Sequence, residues 1–240
     1  MALFGLFGKK SEEDLLKKHA ECVANKRKQA VDRWESIRAL THMGTPEAVE
    51  ALLPRFTFYV DPSITDQEEK DAAFEGIVGV GEAAIEPISR FLRRAESISW
   101  PVKMLDRVAD AEVVIGKLLE LLADMDTEYE RDPQRKIQLL ATLEERQDPR
   151  IAEAVVRFTR DANETVRFNA VGAVFAQDEA EAHRAELLDA FCDEESVRIR
   201  NRILDGFIAA GWDLGDRADA VRDRLPAGYS IDKAGKPRRA

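Results

Sequence analysis

Apolar positions along this chain recur on a helical period, and five times they do so from the same kind of starting residue. Arg33, Lys70, Lys136, Arg167 and Arg200 are all basic. Three residues on stand Ser36, Ala73, Leu139, Ala170 and Ile203; four on, Ile37, Phe74, Leu140, Val171 and Leu204; seven on, Leu40, Ile77, Leu143, Val174 and Phe207. Small or apolar residues at +3, +4 and +7 make one face of a helix. Each basic anchor therefore predicts the opening of a core-facing helix. At +11 come Gly44, Gly81, Gln147, Asp178 and Gly211, and glycine ends a helix at little steric cost in the left-handed conformation.

Second apolar segments follow several of these turns. Thr45-Pro46 leads into Val49, Leu52, Leu53 and Phe56, and Asp148-Pro149 into Ile151, Val155 and Phe158. A Thr or Asp cap followed by proline at the first helical position is a start signal, because proline lacks only a donor that would be orphaned anyway. Successive anchors lie 37, 66, 31 and 33 residues apart, so the 66-residue interval predicts one further unit between Lys70 and Lys136. Lys103 sits at the expected place, but Asp106, Arg107 and Asp110 then occupy positions that belong to apolar residues. This middle unit, near 99–125, is degenerate: Pro101 is a helix-opening signal, and 113–125 reads as a strong amphipathic helix.

A repeat of this length means stacked supersecondary units rather than one closed core. The expectation is an all-α chain, an α-solenoid of about six antiparallel helical hairpins, with residues 11–225 as a single repeat domain. Residues 161–170, Asp-Ala-Asn-Glu-Thr-Val-Arg-Phe-Asn-Ala, resemble the HEAT-repeat signature, in which an Asp precedes a Val-Arg pair at the start of the second helix. Asp193 to Arg198, and Gly-Glu-Ala-Ala-Ile-Glu-Pro-Ile from Gly81, are similar pieces of that pattern. The resemblance spans roughly residues 26–211. HEAT and armadillo arrays share much of it, and two helices per 31 to 37 residues favour HEAT. It implies structural, inter-repeat roles for Asp161, Arg167, Asp193, Arg198 and Arg200, since a buried or half-buried Arg normally needs a carboxylate partner.

Composition narrows the function. The chain of 240 residues is 34% charged and 45% hydrophobic, the balance of a folding, helix-rich protein. Its net charge of -10 speaks against nucleic acid as a general partner, because such affinity comes from lysines and arginines that release counterions. Cys22 and Cys192 lie far apart and form no ligand pair or disulfide framework. No apolar stretch approaches the roughly 18 residues of a membrane span, and no secretory signal is evident. A reducing cytoplasm is the expected setting.

No residue set carries the spacing of catalysis, so no catalytic residue, metal site or cofactor is expected. His19, His42 and His183 are scattered, without a helical i, i+4 pair, and there is no phosphate loop or nucleophile elbow. In the resembled family the second helices line the recognition surface. At +2 and +5 from the anchors this points to Glu35, Arg38, Glu75, Gln138, Asn169, Arg202 and Asp205 as a mixed-charge strip suited to a protein or peptide partner. The leading expectation is thus a non-catalytic scaffold or adaptor with a protein partner. HEAT-like DNA-repair glycosylases and bilin lyases are the enzyme alternatives on resemblance alone. The ends add two features. Residues 1–10 carry Leu3, Phe4, Leu6 and Phe7 before Lys9 and Lys10, either a cap on the first hairpin or a weak peripheral anchor for a membrane or partner. Ser11-Glu-Glu-Asp reads as a capping box opening the first helix. Residues 226–240 read as a mobile basic tail.

Overall fold

A computed structural model describes residues 11–240 of the chain; the candidate cap or anchor of Leu3, Phe4, Leu6, Phe7, Lys9 and Lys10 lies outside the described residues. The protein is all-helical apart from one short strand pair. It divides into two compact units, Met1–Val114 and Ile115–Ala240. The first holds α1 (Glu12–Val23), α2 (Ala30–Met43), α3 (Pro46–Leu52), α4 (Ser63–Val78), α5 (Ile85–Arg94) and α6 (Ser99–Val108). The division falls within α7 (Ala111–Ala123). The second unit holds α8 (Gln134–Glu144), α9 (Pro149–Val156), α10 (Glu164–Phe175), α11 (Arg184–Asp193), α12 (Val197–Ala210) and α13 (Ala218–Asp223), then β1 (Tyr229–Ile231) and β2 (Pro237–Arg239).

The helix starts follow local chemistry. The Ser11 hydroxyl accepts from Asp14 N–H while the Asp14 carboxylate accepts from Ser11 N–H, a reciprocal capping box. Thr45 and Asp148 cap α3 and α9, each with proline in the first turn. Gly44 and Gly211 end α2 and α12 at φ 62 and 71, where any side chain would be strained. The +3, +4 and +7 residues of all five anchors are buried except Phe74, which is half-buried with its ring 6.0 Å from that of Trp100.

Packing within each unit is layered. In the first, α2 packs on α4 and α4 on α6, while α1 packs on α3 and α3 on α5. In the second, α10 packs on both α8 and α12. Two close approaches need glycine: a Cβ at Gly76 would overlap Thr41 across α2 and α4, and one at Gly206 would overlap the Phe175 ring across α12 and α10. The degenerate unit also resolves. In α6 the buried residues are Pro101, Val102, Met104 and Leu105, whereas Asp106, Arg107 and Asp110 are exposed. Counted by the same +3, +4, +7 rule the anchor is Ile98, itself 1% exposed. An apolar residue five positions before Lys103 takes the basic anchor's place, which is why the pattern could not be followed through it.

The basic anchors are tied into the helical stack. Arg33 donates from Nε and Nη2 to Glu69, both at 2.9 Å. Lys70 donates to Asp66 at 2.7 Å, and Lys136 donates to Asp161 at 3.1 Å. Arg167 grips Glu194 at 2.8 and 2.9 Å. Asp161 and Glu194 also accept the backbone N–H two residues on, from Asn163 and Ser196, so each carboxylate fixes its own turn and the preceding anchor together. Burial works against ionising Glu194, but Arg167 and the Ser196 N–H outweigh it and hold the carboxyl below its ordinary range. Two structural expectations need correction. Asp193 is 75% exposed and only 3.8 Å from Arg160; Glu194 is the residue that lies six before Arg200, as Asp161 lies six before Arg167. Arg200 donates to the Arg224 carbonyl at 2.6 Å because no acidic residue stands at the matching place after α12. Arg198 lies over the Phe168 ring at 3.7 Å.

Residues 226–240 do not form the mobile tail that their composition predicted. β1 and β2 pair antiparallel, Tyr229 opposite Arg239 and Ile231 opposite Pro237. The Asp232 carboxylate closes the turn by accepting from Ala234 and Lys236 N–H, both at 2.9 Å. Three of the four basic side chains that suggested solvation are used, Lys236 on the Gly211 carbonyl, Arg238 on Asp232 and Arg239 on Asp205, while Lys233 is exposed.

Candidate functional site

The mixed-charge strip resolves differently in the two units. In the first, Glu35 and Arg38 on α2 and Glu75 on α4 are exposed, Glu75 reaching Arg107 only at 3.9 Å. Between α2 and α4 lies a surface cleft of about 270 Å³ lined by Ala30, Val31, Trp34, Thr65, Glu68 and Glu69. At its edge Val31 is 62%, Ile64 66% and Trp34 37% exposed, large apolar surface of the kind a partner covers. Farther along the same helix pair, Arg38 lines a second shallow cleft with Thr41, His42 and Ala72.

In the second unit the predicted residues are half-buried and three are spent on internal bonds. Asn169 Nδ2 donates to the Thr165 carbonyl at 2.8 Å. Arg202 pairs with Glu144 on α8, crossing α10 over Gly172 and stacking 4.0 Å from the Phe168 ring; a Cβ at Gly172 would overlap its guanidinium. Burial pushes the Arg202 pKa down, and Glu144 works against that shift. Asp205 accepts from Tyr229 Oη at 2.8 Å and from Arg239 Nε and Nη2 at 3.0 and 2.6 Å. Burial, then the hydrogen bond to Asp205 and its charge, push the Tyr229 hydroxyl up to about 12. Gln138 is half-buried on α8. The C-terminal hairpin thus occupies the Asp205 position that the sequence assigned to a partner.

Sequence reasoning missed a third cleft in the first unit, of about 470 Å³, where the turn after α3 meets the start of α6. Its walls include Pro54, Phe56, Tyr59, Phe91, Trp100 and Pro101, with Arg94 and Glu96 also lining it. The Phe56 and Trp100 rings are 4.9 Å apart at 51°, and the Lys103 ammonium lies 5.2 Å from the Trp100 ring. Tyr59 is 84% exposed, yet the Lys70 ammonium sits 3.8 Å from its ring. The signal in the sequence was aromatic residues and prolines clustered in the two stretches that lack the helical period, 53–62 and 95–101.

Beneath these surfaces lies a buried ionic cluster. Arg55 is fully buried and donates to Glu69 at 2.7 Å, to the Asp66 carboxylate at 2.8 Å and to the Phe58 carbonyl at 3.2 Å. Burial opposes ionisation of Asp66, but Lys70 and Arg55 prevail and hold its carboxyl below the ordinary range. Asp66 and Glu69 are thus each bound to two cationic side chains, which leaves neither available as a general base.

No family model and no curated protein matches this chain. Its chemistry must be read from the surfaces alone. Those of the first unit expose apolar and aromatic area at Val31, Trp34, Tyr59 and Ile64. Among the described residues no group of His, Cys, Asp and Glu is arranged to hold a metal ion, and no helix is long and apolar enough to cross a membrane.

Proposed function

We propose that the protein is a non-catalytic binding scaffold, a HEAT-like α-solenoid of about six hairpins that presents its second helices to a protein partner. The serial packing of α2, α4 and α6, and of α8, α10 and α12, supports the repeat reading, as does the ladder of anchors paired with carboxylates. The observation that carries the binding role is the exposure of Val31, Trp34 and Ile64 together on the α2–α4 face. Trp is enriched among the few residues that dominate interface energy, typically as an apolar anchor inside a polar rim. Glu35, Arg38 and Glu75 supply such a rim. The face fits a protein surface with an apolar centre and mixed charge around it.

The test is to immobilise the full-length protein beside a Trp34→Glu/Ile64→Glu variant and identify what each retains from lysate of the source cell. Both positions are solvent-accessible, so the variant keeps its helical circular dichroism. A protein retained by the first and lost from the second, and cross-linked to α2 or α4, supports the reading. Identical retention by both overturns it.

A further inference from the structure

The cleft walled by Phe56, Tyr59 and Trp100 lies apart from the α2–α4 face and has a chemistry of its own. Its aromatic walls pack on one another: the Phe56 ring lies 4.9 Å from that of Trp100, and Trp100 in turn lies 6.0 Å from Phe74. Tyr59 projects into solvent but is steadied by the Lys70 ammonium, itself anchored to Asp66 at 2.7 Å. Aromatic surface held in place before binding lowers the entropy cost of capturing a ligand.

The polar groups at the cleft select the ligand's backbone. Neither the Tyr59 hydroxyl nor the Trp100 indole N–H has a hydrogen-bond partner among the described residues. An α-helical ligand has spent its carbonyls internally and would leave those donors unsatisfied. A polyproline II segment has no internal hydrogen bonds and presents its carbonyls to whatever surrounds it. Its proline rings suit flat aromatic walls, and docking on aromatic-lined grooves is the general mode for such segments.

Charge then selects the flanking residues. Arg94 makes no ion pair or hydrogen bond among the described residues, and Lys103 stands over Trp100 with no carboxylate partner. Glu96 is the single acidic residue of the lining. On a chain of net charge -10 this rim is locally cationic. We propose that the Phe56–Tyr59–Trp100 cleft binds an extended proline-rich peptide segment whose flanking residues are acidic.

The probe is a fluorescein-labelled Glu-Pro-Pro-Leu-Pro-Glu peptide titrated with the full-length protein and followed by anisotropy. Two comparison peptides replace the glutamates by lysine or the prolines by alanine. The acidic proline peptide binds saturably, with a Kd on the order of tens of micromolar. Tyr59→Ala and Trp100→Ala each weaken it about tenfold or more. Because Trp100 also packs internally, the exposed Tyr59→Ala variant, with its thermal midpoint unchanged, separates lost binding from lost fold. Arg94→Glu narrows or inverts the preference for the glutamate over the lysine peptide. Trp34→Glu leaves this binding intact, so failure here and failure of the α2–α4 interface are distinguishable. No saturable binding up to about 1 mM, equal affinity for the alanine peptide, or binding that survives Tyr59→Ala overturns the proposal.

Discussion

Glu69→Gln tests the buried ionic cluster directly. The Glu69 carboxylate is 1% exposed and accepts three charged hydrogen bonds, two from Arg33 and one from Arg55. In the native cluster Arg33, Arg55 and Lys70 face Asp66 and Glu69, so cations exceed anions by one; the amide raises that excess to two. Arg55 keeps Asp66 and two carbonyls. Arg33, 3% exposed, keeps only the carbonyls of Lys26 and Lys28. Removing one partner of a buried pair costs about 3–5 kcal/mol, because the other charge stays desolvated and uncompensated. With a urea slope of about 2 kcal/mol per molar, the midpoint falls by roughly 1.5–2.5 M. Trp34 and Trp100 report the first unit when fluorescence is read in a Trp212→Phe background. Glu50→Gln is the control, since the Glu50–Arg90 pair is about half exposed and such pairs contribute at most about 1 kcal/mol. Adding Arg33→Met to Glu69→Gln restores much of the loss by removing the stranded charge. A Glu69→Gln shift no larger than that of Glu50→Gln would refute the reasoning.

Two further predictions concern the second unit. Alanine is about 1 kcal/mol better than glycine inside a helix, so Gly116→Ala, where a Cβ meets nothing within 4 Å, raises the thermal midpoint. Gly206→Ala reverses the sign, because its methyl enters the Phe175 ring, which is packed against Phe207 and Trp212, and overpacking costs about 1–3 kcal/mol. For the hairpin, the Tyr229 hydroxyl is held neutral up to about 12 against an ordinary 10. Its stabilising effect is therefore complete below about 10 and lost as pH rises through about 12; in an alkaline phenolate-absorbance titration Asp205→Asn moves the Tyr229 midpoint down toward 10, and an unmoved midpoint counts against the contact.

Much of the helical framework was legible because its determinants are local. The Ser11 box, the Thr45 and Asp148 caps, the Gly44 and Gly211 terminators and the apolar face after each basic anchor need only neighbours in sequence. What was missed depends on groups distant in sequence. Asp193 was chosen over Glu194 by matching a motif, whereas the 33-residue offset from Arg167 to Arg200 maps Asp161 onto Glu194. Arg202 and Asp205 looked available because their helix positions face outward, but Glu144 lies 58 residues from Arg202 and Arg239 lies 34 from Asp205. The hairpin was read as a tail because it has few apolar residues; its order comes from charged bonds to α12 and to the turn after it, which composition does not register.

The place where the repeat pattern fails coincides with the aromatic cleft. A regular unit would have a basic anchor where Ile98 stands, with a carboxylate partner and a polar start to its second helix. Instead the chain places Trp100 and Pro101 at that start, and Pro101 at +3 fills a core position normally given to a small or apolar side chain. Ile98, unlike the basic anchors of the other units, has no charge to pair. The turn after α3 is unusual as well, carrying Phe56, Phe58 and Tyr59 over the buried Arg55. Consistent sequences break local rules mainly where a site requires it. Both irregular stretches line one cleft, so if the proposed peptide site holds, the interrupted basic-anchor pattern and the clustering of Phe56, Tyr59 and Trp100 have a common explanation.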